Sequence, residues 1–275
     1  MNLDGYVNCG LFMVGGIAGA LVLVALIRLI FAPQILRSSH DVTGNLLAVT
    51  GTLYAVTLGM IVVDAMTRFE QSADTVQQES NCLVETFELA HRLPEPYRSR
   101  LQTNCREYAA SVVQREWAAM AAGRPSPEAR ASMMAINRSL DGYEPRTEAE
   151  KAVFPLLVEQ VSELWRHRRE RLATAATGIP AIEWLALLVG AVITVAFTGL
   201  FSVEYPRLHV LVTAMVAMAI GLNLYLVSLF GYPFAGDLSV SSDPFRHDLA
   251  IFAEWGERGP GTATPANESG QNPRR

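Results

Sequence analysis

The chain has 275 residues, of which 50% are hydrophobic and 18% charged, with a formal net charge of -5. A domain surrounded by water carries roughly a quarter charged residues, so part of this chain faces something else. The acidic balance excludes a nucleic-acid binder, which needs a basic footprint. Three scattered cysteines, Cys9, Cys82 and Cys105, make neither a disulfide framework nor a Cys-pair zinc site.

Four stretches are long and apolar enough to cross a bilayer, which takes about 20 residues of helix. They run from Gly10 to Ala32, Gly44 to Met66, Ile182 to Val203 and Leu208 to Phe230. No Lys or Arg precedes Arg28 and no small-residue cleavage site follows the first run, so it reads as a span rather than a signal peptide. Short connections, Pro33 to Thr43 and Glu204 to Arg207, pair the spans into hairpins over residues 10–66 and 182–230. The N-terminus, the polar region 67–181 and the C-terminus then share one side. Arg68, Arg166, Arg168, Arg169, Arg171 and Arg246 lie on that side, against Arg28, Arg37 and Arg207 on the other. This excess puts the shared side in the cytoplasm. Trp184, Tyr205 and Tyr232 fall where membrane interfaces should be.

The region 67–181 reads as helical. Phe69, Ala73, Val76, Leu83, Phe87 and Ala90 form a heptad-like, coiled-coil seam with Ser80 as its polar exception. No Gly or Pro separates this seam from span two, so one helix should carry both; Pro94 and Pro96 end it. A second helix presents Tyr97, Leu101, Cys105, Tyr108 and Val112, and extends through Glu116, Trp117 and Met120 to Gly123. Ser126 caps a third, with Pro127 in its first turn and Ala129, Met133, Ile136 and Leu140 on its apolar face. Thr147 and Glu150 make a capping box for a fourth, with Val153, Leu157, Val161, Leu164 and Leu172 as its stripe. Pro155 should kink that helix or reset its start. His167, inside an arginine run, reads as solvated. Glu116 beside Trp117 reads either as a buried pair or as ordinary packing. Residues 231–255 form a mixed polar and aromatic post-membrane segment. Residues 256–275, rich in Gly, Pro, Thr, Asn and Ser, should be disordered. The fold class is therefore all-α: a four-span transmembrane helical protein with a cytoplasmic helical bundle between spans two and three.

Enzyme chemistry is missing from the sequence. His40, His91, His167, His209 and His247 show no metal-binding spacing, and no phosphate loop, dinucleotide fingerprint or nucleophile elbow occurs. No catalytic activity, cofactor or metal is expected. Function is sought instead among the membrane residues. On a helical wheel, Gly51, Ala55 and Gly59 share one side of span two, suited to close helix packing. Leu46, Leu53, Thr57, Met60 and Asp64 share the opposite side. Around an axis of several copies, Leu53 and Met60 would form a hydrophobic constriction, Thr57 a hydroxyl ring and Asp64 an acidic mouth favouring cations. The alternative is that Leu53 and Met60 face lipid or a neighbouring span, with Asp64 at the interface. Asn223, midway along span four, is expected to bond across to another helix.

Three phrases resemble the bacterial bestrophin-like family of four-span membrane proteins. They are GTLYAVTLGMIVVDAMTRFEQSADTVQQE from Gly51 to Glu79, YAASVVQREWAAM from Tyr108 to Met120, and PFAGDLSVSSDPF from Pro233 to Phe245. With the hairpin layout, the resemblance covers about residues 10 to 250. Bestrophins are pentameric ion channels whose second span lines a narrow hydrophobic neck. The resemblance thus implies a homo-oligomer, a pentamer, in the bacterial inner membrane, passing ions, with Leu53, Thr57 and Met60 at the neck. This sequence departs from the pattern in lacking bulky Ile and Phe at those positions. It has Asp237 and Asp243 after span four, but no dense acidic cluster like the calcium clasp of animal bestrophins. Two other readings stay open. One is an energy-transducing membrane subunit laid out like flagellar stator proteins, with a partner supplying a mid-membrane acid. The other is a signalling or scaffold protein whose bundle binds a partner and has no pore.

Overall fold

The computed structural model describes residues 3–30, 40–201, 205–236 and 238–257. Arg37 and most of the first interspan loop, Glu204, Asp237 and residues 258–275 lie outside them. The described elements are α1 (Leu3–Ile30), α2 (His40–Ala90), α3 (Tyr97–Ser111), a π turn (Val112–Glu116), α4 (Trp117–Ala121), α5 (Pro127–Arg138), α6 (Glu148–Thr177), α7 (Ala181–Leu200), α8 (Pro206–Phe230) and α9 (Asp243–Glu257). No strand occurs among the described residues. Four helices, α1, α2, α7 and α8, hold the membrane spans.

α2 sets the scale of the molecule. Its 51 residues run unbroken from span two into the polar region. At 1.5 Å per residue that is about 75 Å, more than twice a hydrocarbon layer of about 30 Å. Beyond the membrane its seam is buried at Val76, Leu83, Phe87 and Ala90. α6 returns along it and makes the most extensive contact of the bundle. The Thr147 and Glu150 capping box fixes where α6 starts, and the helix runs through Pro155 without a break. The proline therefore does not reset the helix, because it removes one backbone bond from a start already secured by its cap.

The second predicted helix is interrupted by a π turn at Val112–Glu116. Its physical reason is visible in the burial. Tyr108, Val112, Glu116 and Met120 are all at most 1% exposed, at four-residue steps. In a regular α-helix each such step drifts by about 40°. One wider turn cancels part of that drift and keeps the four on one face. α5 starts as read, with Ser126 Oγ accepting the Ala129 N–H at 3.3 Å. The post-membrane segment contains a helix that the sequence reading lacked. α9 buries Phe245 and Phe252 completely in the bundle core, and it takes in Gly256 and Glu257, where a disordered tail was expected to begin.

In the membrane, α1 leans on α7 and α8, and so does α2; α1 and α2 make no extensive contact among the described residues. The Tyr54 ring of α2 fills the space over Gly190 of α7, where an added Cβ would stand 2.2 Å from it. The passage from α6 into α7 turns at Gly178, with φ +51° and ψ -150°, against the Tyr232 ring. Glycine alone is at ease in that region of backbone space. A Cβ there would also meet the Tyr232 ring at 2.5 Å. Gly178→Ala should therefore cost about 1–3 kcal/mol from the backbone alone. Thermal unfolding in detergent should show a clearly lower midpoint than the native chain; an unchanged midpoint would contradict this account of the turn.

Candidate functional site

Span two has three distinct faces. Tyr54, Leu58 and Ala65 are buried against α7 and α8. Gly51, Ala55 and Gly59 lie about 80° round the helix from that face, at 100° per residue. A Cβ added at Gly51 or Gly59 would meet nothing within 4 Å in this chain. On the far side, Leu46, Val49, Leu53, Val56, Met60 and Val63 are exposed, with Leu53 at 65% and Met60 at 70%. Their spacing alternates three and four residues, as in a coiled-coil seam. The Thr57 hydroxyl donates to the Leu53 carbonyl of its own helix at 3.0 Å. Among the described residues no other element covers the stripe.

Where α2 leaves the membrane, Asp64 is not a free acid. Arg68 Nε lies 2.6 Å from Asp64 Oδ2, and Arg68 Nη2 lies 3.6 Å from Glu183 Oε1 at the start of α7. These groups are partly exposed, so the pairs contribute little to stability. Their local effect is on charge: one guanidinium offsets the Asp64 carboxylate. Asp64 and Arg68 open onto a polar cavity of about 680 Å³ between α2, the end of α6 and the Gly231 turn.

Deeper in the bundle lies a site that sequence reasoning missed. Arg171 of α6 is completely buried. Its Nε and Nη2 stand 2.6 and 2.8 Å from the two carboxylate oxygens of Glu79 on α2. Nη2 also donates to Glu116 of the π turn at 2.9 Å. Arg168, one turn away, donates to the other Glu116 oxygen. The Tyr108 hydroxyl donates to Glu79. Trp117 and Phe245 present their rings to the Arg171 guanidinium, with centroids 5.3 and 5.9 Å away. Burial works against the charge on Arg171. The carboxylates of Glu79 and Glu116 outweigh it and hold the group well above the ordinary guanidinium range. Burial and the Glu79 charge push the Tyr108 phenol well above its usual value, which keeps it a donor. Two acids and two guanidiniums, equal in number, make a buried cluster joining α2, α3, the π turn and α6.

These placements correct several expectations. Of the four arginines that the sequence places on the shared side before span three, Arg168 and Arg171 are core residues, and Arg166 and Arg169 are the exposed pair. His167 is not solvated but 4% exposed, with its ring nitrogens 3.6 and 3.4 Å from Glu163 and Glu170. The reason is periodicity. Leu157, Val161, Leu164, Arg168 and Arg171 fall at steps of four, three, four and three, so the buried face of α6 passes through its basic run. Among the described residues Asn223 bonds within its own helix, its Nδ2 donating to the Ala219 carbonyl at 2.9 Å. An amide four residues after a carbonyl finds that acceptor locally, which uses one of its two N–H donors. Among the described residues no group of three or more His, Cys, Asp or Glu is placed to hold a metal ion.

The fold and the exposed second span define a class, a four-helix membrane protein with a polar helical bundle grown from spans two and three. The family model of the Bestrophin-like domain matches residues 14–245, and the chain belongs to that family. Its fold resembles that of a bacterial bestrophin homologue from Klebsiella pneumoniae. The TM-score is 0.61 at 10% identity, covering 89% of this chain and 98% of the other. A substituted form of the Klebsiella pneumoniae homologue gives 0.62 at 11% identity, covering 91% and 99%. No curated protein matches the sequence.

The buried cluster makes a prediction that separates charge from packing. Arg171→Met leaves two buried acids facing Arg168 alone and should cost about 3–5 kcal/mol. Adding Glu79→Gln restores neutrality and should recover a large part of that loss. Unfolding of the single and double variants in detergent measures both; a double variant no more stable than Arg171→Met would show that charge balance does not hold this core.

Proposed function

We propose that this protein is a bestrophin-like ion channel, in which copies of the chain surround an axis lined by α2. One observation carries the reading: the exposed apolar stripe of α2, spaced as a seam, in a chain of bestrophin-like fold. In the proposed assembly Leu53, Thr57 and Met60 form the neck, and Gly51, Ala55 and Gly59 let neighbouring copies approach closely. The family resemblance favours a pentamer in the bacterial inner membrane. The bundle and both termini lie in the cytoplasm, where exposed Arg166 and Arg169 and the Arg68 flank keep them. No catalysis is proposed.

Native mass spectrometry of the protein released from nanodiscs should give a single pentameric mass. A monomer or dimer would favour a pore-free scaffold, and a co-purifying single-span protein would favour an energy-transducing subunit. Reconstituted Met60→Ala should raise ion flux by shortening the side chain at the neck. Equal flux at matched protein content removes Met60 from the pore.

Charge at the mouth gives a second test. Arg68 offsets Asp64 and approaches Glu183, so the ring of acids favours cations less than Asp64 alone would. Arg68→Gln should shift the reversal potential in a salt gradient toward the cation equilibrium value. A shift toward the anion value, or none, would place this pair away from the ion path.

A further inference from the structure

α9 is held on the bundle by apolar and polar contacts of very different character. Phe252 stacks on Phe87 of α2 with ring centroids 4.2 Å apart. Arg106 of α3 donates to the Phe252 carbonyl at 3.2 Å. Between α9 and α2 lies one buried carboxyl, Asp248, which is 2% exposed. Its two oxygens stand 2.9 and 2.8 Å from the same atom, Ser80 Oγ. That is the polar residue that breaks the apolar seam of α2. Among the described residues Asp248 has this one donor and no cation partner.

The geometry distinguishes the two protonation states. A neutral carboxyl can accept from the Ser80 hydroxyl with one oxygen and donate back to Oγ with the other, so both groups are satisfied. An ionised carboxylate has only the single hydroxyl, and a buried charge without a counter-charge is costly. Among the described residues none stands paired with it. α2 offers the acids Glu79 and Glu85. From α3, Arg106 is turned to the Phe252 carbonyl and the Phe87 ring, and Tyr108 is committed to Glu79. In the π turn, Glu116 is paired with Arg168 and Arg171, and Arg115 points to Glu128. On α9 itself, Asp243 pairs with Arg246 at 3.5 Å. A solvent-open groove of about 620 Å³, lined in part by Gln77, Asn81, Glu85 and His247, reaches Asp248 and gives protons a route to it.

We infer that Asp248 is a proton-operated latch, which seats α9 on α2 when protonated and loosens that seat when ionised. Burial first, and then the Glu79 charge, raise the carboxyl from the usual range to about 7, with the Ser80 hydrogen bond working against them. Because the seated form binds its proton more tightly than the free form, seating weakens as pH rises from the ordinary carboxylate range toward about 7 and levels off above it. The latch acts between α9 and the bundle and requires no pore, so it stands or falls apart from the channel reading.

Hydrogen–deuterium exchange of the full-length protein in nanodiscs tests it. After correction for intrinsic exchange, amides of residues 243–257 should open at least about tenfold more at pH 8 than at pH 5. Asp248→Asn should abolish that dependence and leave α9 protected at both values. Ser80→Ala removes the hydroxyl from both states, but the charge-assisted bond it gives the ionised form is the stronger one, so the levelling-off should move to higher pH. It keeps the test available if Asp248→Asn fails to fold. A pH-independent α9 in the native chain, an Asp248→Asn chain with the native pH response, or a Ser80→Ala chain levelling at the native pH would each overturn the latch.

Discussion

The helices that meet outside the membrane, α2, the α3 segment and α6, are joined at one fully buried guanidinium. Arg171 cannot sit in a core without counter-charges, and the two it uses come from places far apart in sequence, Glu79 and Glu116. Bringing them together fixes α6 against α2 and fixes the rotation of the α3 segment, because Glu116 must point inward. The π turn is the local consequence. Without it, four-residue steps would swing Glu116 away from the face that holds Tyr108. Replacing such a cluster by apolar side chains of matching volume often costs nothing in stability. Its physical distinction is directional: a bidentate pair sets register and angle, where apolar contact alone tolerates sliding.

That register is passed to the membrane through a continuous rod. Glu79 stands on the same helix as Leu53 and Met60, with no Gly or Pro after Gly59 to absorb a bend. α6, which holds Arg168 and Arg171, enters the membrane instead through a sharp turn at Gly178 and Pro180. So the two helices that share the charge cluster meet the bilayer differently, one stiffly coupled and one articulated. The Gly178 turn is held by the Tyr232 ring and the Gly231 turn by Ile179, which ties the articulation to the start of the segment leading to α9.

The membrane layout and the helices were legible because their signals are local. Long apolar runs, the Ser126 cap, the Thr147–Glu150 box and the absence of Gly and Pro in α2 after Gly59 each act within a few residues. The charge cluster was not, for a physical reason. An arginine run beside a span is ordinarily a solvated flank, and only the continuation of the α6 stripe from Leu164 to Arg168 and Arg171 marks it as core. Glu79 and Ser80 carried a similar signal, at seam positions between Val76 and Leu83. Both were visible as interruptions of an apolar pattern, and their partners lay far off in sequence, on α3 and α6 for Glu79 and on α9 for Ser80. α9 itself was hidden because Asp243 to Glu257 is short and its apolar residues make sense only against the Phe87 and Tyr108 surface.

The second span asks for more neighbours than one chain provides. Its packed face is filled by α7 and α8, yet among the described residues nothing covers the two others. Lipid can cover an apolar stripe at no cost, since acyl chains are as apolar as Leu and Met. Exposure of Leu53 and Met60 therefore does not by itself drive assembly. The small-residue face is different. Gly51 and Gly59 offer little to lipid but allow a helix backbone to come close, where dispersion and backbone contacts add up. Under the proposed assembly, that flank makes the contact between copies, and the stripe on the far side from α7 and α8 is what remains to face the axis. The pore lining would then follow from the packing of the other two faces, with the Glu79–Arg171 anchor on the same rod setting the rotation of all three.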